Sequence, residues 1–148
     1  MAGNRRLSIG LPAEHNGGEK RFPLTPEGVA LLTKEGYRVF VESGAGEGIK
    51  YSDLHYTEAG AQATTASEVF RCDVVLKITP LNEQEAAMIR PGVFLLTLLQ
   101  PQYQSASVVR ILMQKKVTAV AIDLITDERG RYLFADILDE IDGRAAIV

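Results

Sequence analysis

The sequence predicts an α/β domain, a Rossmann-like or flavodoxin-like parallel sheet with helices on both faces. Two observations predict it. Short, mostly apolar runs recur along the 148 residues, as strands covered on both faces of a parallel sheet do. Between them lie capped segments with helical spacing, and such alternation implies βα units joined by right-handed crossovers.

In chain order, the first apolar run is Leu7 to Leu11. The clearest helix follows from Thr25 to Gly36, where Thr25 can cap, Pro26 suits the first turn and Gly36 suits the stop. Tyr37 to Val41 is the second strand. Ser52-Asp53-Leu54 and Thr65-Ala66-Ser67-Glu68 each offer a cap before a short helix. Val74 to Ile78 reads as a strand, Asn82 to Ile89 as a helix, and Val93 to Leu96 as a strand. Ser105 to Lys115 is a last amphipathic helix before the strand Val117 to Ile122. From Asp136 the chain reads as a helix still apolar at Val148, so we expect a piece of a longer protein.

Composition narrows the class. A length of 148 residues, 46 % hydrophobic and 24 % charged, suits one globular domain. The formal net charge of −3 and scattered Lys and Arg argue against nucleic-acid binding. No apolar stretch approaches the roughly 20 residues of a spanning helix, so no membrane segment is expected. A single cysteine, Cys72, and no signal-like start suggest a reducing, cytoplasmic setting.

Several residues carry candidate chemistry. Arg21 presents a planar fork that matches a carboxylate; the plainer reading pairs it with Glu19 or Glu14. Lys77 ends an apolar strand and either snorkels there or projects into a cleft, where desolvation would favour proton handling. The stretch Gly44-Ala45-Gly46-Glu47-Gly48 lacks dinucleotide-loop spacing and reads as a turn. His15 and His55 read as solvated, and no cluster has metal-ligand spacing. Cys72 reads as a small buried residue. Asp123 either lines the cleft or caps a turn.

The segments Ile9-Gly10-Leu11-Pro12-Ala13-Glu14, Arg21-Phe22-Pro23-Leu24-Thr25-Pro26, Val41 to Gly48 and Asp73-Val74-Val75-Leu76-Lys77 together resemble the N-terminal domain shared by alanine dehydrogenases and pyridine nucleotide transhydrogenases. The resemblance covers nearly the whole chain. It implies that residues 1–148 are a substrate-side domain and that an NAD-binding Rossmann domain, absent here, follows. It further implies NAD-dependent oxidative deamination of L-alanine to pyruvate and ammonia, by a protein that is a homo-oligomer in full length. Arg21 would hold the substrate carboxylate and Lys77 the carbonyl or amine. In alanine dehydrogenases a catalytic histidine ends the strand that here runs to Gln100. A glutamine can hydrogen-bond a substrate oxygen but cannot exchange a proton near neutral pH. The alternatives are a domain of a proton-translocating transhydrogenase, where no amino acid is bound, and a non-catalytic binding domain of the same fold.

Overall fold

Strands covered on both sides need helices above and below, and the chain supplies them. The computed structural model describes residues 6–15, 18–98 and 104–133. The strands are β1 (Ser8–Leu11), β2 (Arg38–Glu42), β3 (Gln62–Thr64), β4 (Val74–Leu76), β5 (Phe94–Thr97) and β6 (Thr118–Ala121). The helices are α1 (Pro26–Lys34), α2 (Asp53–Glu58), α3 (Ala66–Val69), α4 (Glu83–Met88) and α5 (Ala106–Gln114). All strand pairs are parallel, in the order β3-β2-β1-β4-β5-β6. This is the doubly wound order of dinucleotide-binding folds, in which the chain reverses its direction of travel between β1 and β4.

The period-two pleat sorts side chains onto two faces. On β4, Val75 joins a core with Phe70, Leu81, Ala86, Ile89, Val93, Leu95 and Val108, whereas its neighbour Leu76 packs against a second core. That second core holds Leu11, Val29, Val39, Val41, Tyr56 and Ala61. Adjacent residues in different cores mean that both faces are covered, as expected.

Most expected elements are present within a residue or two. Thr25 accepts from the Gly28 N–H, Pro26 opens α1, and Gly36 takes a left-handed φ of 92° just past its end. The strand β3 was not expected; it is a three-residue edge strand whose Gln62-Ala63-Thr64 carries no apolar run. Gly10 has a role that the sequence did not reveal. A Cβ there would lie 2.3 Å from the Val69 carbonyl oxygen, so α3 crosses β1 at backbone contact only because residue 10 is glycine. The C-terminal helix expected from Asp136 lies outside the described residues, as does Gln100.

Candidate functional site

In open parallel sheets, ligands bind beyond the carboxyl ends of the strands at the point of reversal. Here that point lies between β1, which runs out into Pro12-Ala13-Glu14, and β4, which runs out into Lys77. The two ends are tied together by charge. Lys77 Nζ donates to Glu14 Oε2 at 2.8 Å, to Thr79 Oγ1 at 2.9 Å and to the Ala13 carbonyl at 3.3 Å. An ammonium has three protons, so these contacts use them all. Glu14 is held in turn: its Oε1 accepts from the Ile78 N–H at 2.6 Å, and its Oε2 accepts from the Thr79 N–H at 3.1 Å and from the Thr79 hydroxyl.

A second carboxylate closes the cluster. Glu85 is the third residue of α4 and accepts from the Asn82 N–H at 2.9 Å, while the Asn82 side chain accepts from the Glu85 N–H in return. Its other oxygen, Oε1, lies 3.5 Å from Lys77 Nζ and has no hydrogen-bond partner. With Lys77 1 % exposed and both carboxylates 4 %, one ammonium holds two buried carboxylates. Lys77 therefore does not snorkel; it projects into protein.

Arg21 is placed differently. It lines a polar hollow with Glu14, His15, Glu19, Glu42 and Gly44 among others, and Lys77 is not part of that lining. Glu14 is the link, since it lines the hollow and bonds Lys77. The fork of Arg21 is grasped by Glu19: Nε donates to Oε1 at 2.9 Å and Nη2 to Oε2 at 2.8 Å. This hydrogen bonding holds the Glu19 carboxyl below its ordinary range, against the opposing effect of partial burial. Of the two partners considered for Arg21, Glu19 takes it and Glu14 serves Lys77.

The rest of the segment is braced. The Ala13 N–H donates to Glu42 Oε2 at 2.8 Å, and His15, largely exposed, lies 3.5 Å from the other Glu42 oxygen. Phe22, Tyr51 and Tyr56 meet edge to face, and the Tyr56 hydroxyl donates to the Leu24 carbonyl at 2.8 Å. Burial pushes Tyr56 up to about 12. The glycine stretch packs on this aromatic cluster: a Cβ at Gly46 would lie 2.4 Å from the Tyr56 ring and 2.8 Å from the Tyr51 carbonyl oxygen. That space is filled by protein, so the loop does not fit a dinucleotide pyrophosphate, in agreement with its reading as a turn.

The remaining candidates stand apart. His55 is exposed in α2 and its Nδ1 accepts from the Ser52 N–H at 3.0 Å. Cys72 is buried, which pushes its thiol up to about 11, away from nucleophile chemistry. Asp123 lies in a 3₁₀ turn, Ile122–Leu124, after the edge strand β6. Sequence reasoning missed the roles of Glu14, Thr79 and Glu85. Only Glu85 left a usable signal, as the acid of the Asn82-x-x-Glu85 capping box, and that signal speaks of a helix start rather than of Lys77.

Residues 10–137 match the family model described as alanine dehydrogenase/PNT, N-terminal domain. The chain belongs to that family. It is 30 % identical over 143 residues to an alanine dehydrogenase of Geobacillus stearothermophilus, covering 95 % of this chain and 38 % of the relative. It is 35 % identical over 120 residues to one of Staphylococcus saprophyticus, covering 80 % of this chain and 32 % of the relative. A solved L-alanine dehydrogenase superposes with a TM-score of 0.80 at 28 % identity, over 85 % of this chain and 35 % of that one. The transhydrogenase from Sinorhizobium meliloti gives 0.75 at 28 %, over 82 % and 37 %. The alanine dehydrogenase/PNT domain family is thus one of oxidoreductases, and this chain spans less than two fifths of the length of these relatives. Among the described residues, no helix is long and apolar enough to cross a membrane and no group of His, Cys, Asp and Glu could hold a metal ion.

Proposed function

We propose that the chain is the substrate-side domain of an NAD-dependent alanine dehydrogenase, which converts L-alanine to pyruvate and ammonium, and that a nucleotide-binding domain following it completes the enzyme. The observation that carries this reading is the presence of two cations beyond the carboxyl ends of the strands, Lys77 at the reversal point and Arg21 in the hollow beyond β1 and β2, each fixed by an acid from the single segment Glu14 to Arg21. A small 2-amino or 2-oxo acid offers one carboxylate and one neighbouring polar group, which is what two separated cations can read. NAD supplies hydride acceptance when bound; the residues of this chain contribute binding and orientation.

Arg21 meets the substrate carboxylate, and the Glu19 grip fixes the plane in which it does so. Lys77 addresses the carbonyl oxygen or the amine. Because its three protons are already donated, contact with substrate exchanges one of them, and the 3.3 Å bond to the Ala13 carbonyl is the longest. Gln100, beyond the described residues, hydrogen-bonds the oxygen of the intermediate without exchanging a proton. The full-length enzyme that this reading implies is homo-oligomeric and cytoplasmic.

The test is L-alanine-dependent NAD reduction by the full-length protein that carries this chain. Turnover, with Arg21→Lys weakening pyruvate by about 2–3 kcal/mol, supports the reading. Hydride exchange between two nicotinamides without L-alanine turnover would favour the transhydrogenase reading. What favours that alternative is the family resemblance, by which Gln100 takes the place of the histidine of the dehydrogenases.

A further inference from the structure

We infer that the amino end of the sheet carries a second binding site, for a phosphate-bearing small molecule, built on Arg6, Arg38, Arg71 and Arg90. These four guanidiniums line a polar cavity of about 430 Å³ at the start of β1, β2 and β4. Asp73 and Lys77 bracket β4, so the cavity and the Lys77 cluster lie about 13 Å apart at ~3.3 Å per strand residue.

The local charge is unusual for a chain whose formal net charge is −3. Two carboxylates share the cavity, and both are engaged. Asp73 Oδ2 accepts from the Ser8 N–H and hydroxyl at 2.9 and 2.8 Å, and its Oδ1 accepts from Arg90 Nη2 at 2.8 Å. Glu68 accepts from the Thr64 hydroxyl. Arg6, Arg38 and Arg71 make no ion pair among the described residues. A second, independent observation points the same way: Arg90 Nε is buried and has no acceptor. Buried donors in folded proteins are nearly always satisfied, so the orphan Nε marks Arg90, which lines the cavity, as only partly used by its pair with Asp73.

Guanidinium forks match the oxygens of phosphate bidentately. A monocarboxylate would answer only one fork, whereas three unpaired arginines suit a group carrying two or more negative charges. Arg38 is held over the Phe40 ring, with its guanidinium carbon 5.2 Å from the centroid, which limits the freedom it would lose on binding. A neighbouring hollow shares Arg6, Arg38, Phe40 and Gln62 and adds Tyr37, an aromatic surface for the organic part of such a ligand.

The probe is inorganic pyrophosphate, titrated calorimetrically into the full chain at low and at physiological ionic strength. The expected result is saturable one-to-one binding that weakens with salt but persists. Arg38→Gln and Arg71→Gln, both at exposed positions, should each lower affinity about tenfold, as loss of a charge-assisted hydrogen bond does. Arg129→Gln, exposed and distant in sequence, should bind like the parent, and excess pyruvate should not displace the probe. Absence of saturable heat, wild-type affinity in both cavity variants, an equal loss in Arg129→Gln, or displacement by pyruvate would each overturn the assignment.

Discussion

Lys77 and Arg21 stand at the same end of the sheet yet live in opposite physical regimes. Lys77 is sealed in protein with every proton donated and two carboxylates around it. Arg21 sits at the wall of an open hollow, one third exposed, its fork gripped by Glu19 two residues earlier. The contrast teaches that a cation can be fixed for chemistry in two ways. A buried cluster makes position and charge inseparable from folding, while a local fork sets orientation and leaves the fold nearly indifferent.

The largest expected effect tests the first half of that contrast. Lys77→Met strands Glu14 and Glu85 as buried carboxylates without a counter-charge and should destabilise the fold by about 3–5 kcal/mol in urea unfolding. Lys77→Met with Glu14→Gln should recover part of that loss, because one stranded charge is removed; no recovery would mean that the ammonium is not what holds Glu14.

Two smaller changes probe how the Arg21 segment is anchored from behind. Gly46→Ala drives a methyl into the Tyr56 ring and the Tyr51 carbonyl and should cost about 1–3 kcal/mol, read as a drop in thermal midpoint. Tyr56→Phe removes one hydrogen bond to Leu24 while keeping the ring, and about 1 kcal/mol is expected. A larger loss from the hydroxyl than from the methyl would show that hydrogen bonding, not packing, anchors the segment.

The smallest effect is a pH dependence. The Glu19 carboxyl is held below its ordinary value of 4.5 in the folded state, so its contribution is fully present above that pH. It is lost as pH falls through the lower folded value. Glu19→Gln should therefore lower stability slightly at neutral pH, flatten the acid limb of the stability curve below about pH 4.5 and leave the most acidic range almost unchanged.

These contrasts also mark what the sequence made legible. Five of the six strands announced themselves because burial on both faces demands apolar runs, and Thr25-Pro26 with Gly36 bounded α1 because caps are local chemistry. β3 stayed hidden because an edge strand of three residues needs no apolar pattern. Lys77 was visible as a cation at a strand end, and Arg21 as one in the run that leads into α1. Their acids were not, because Glu14 reaches Lys77 across 63 residues of chain while Glu19 lies two residues from Arg21, and only the fold decides which acid serves which cation. The glycine stretch was read as a turn, but its reason, the Tyr56 ring against Gly46, lies ten residues away.

The comparison rests most directly on paired urea unfolding of Lys77→Met and Arg21→Lys at neutral pH. The account predicts a loss of about 3–5 kcal/mol for the first and under about 1 kcal/mol for the second. Equal losses, or a larger loss at Arg21, would contradict it.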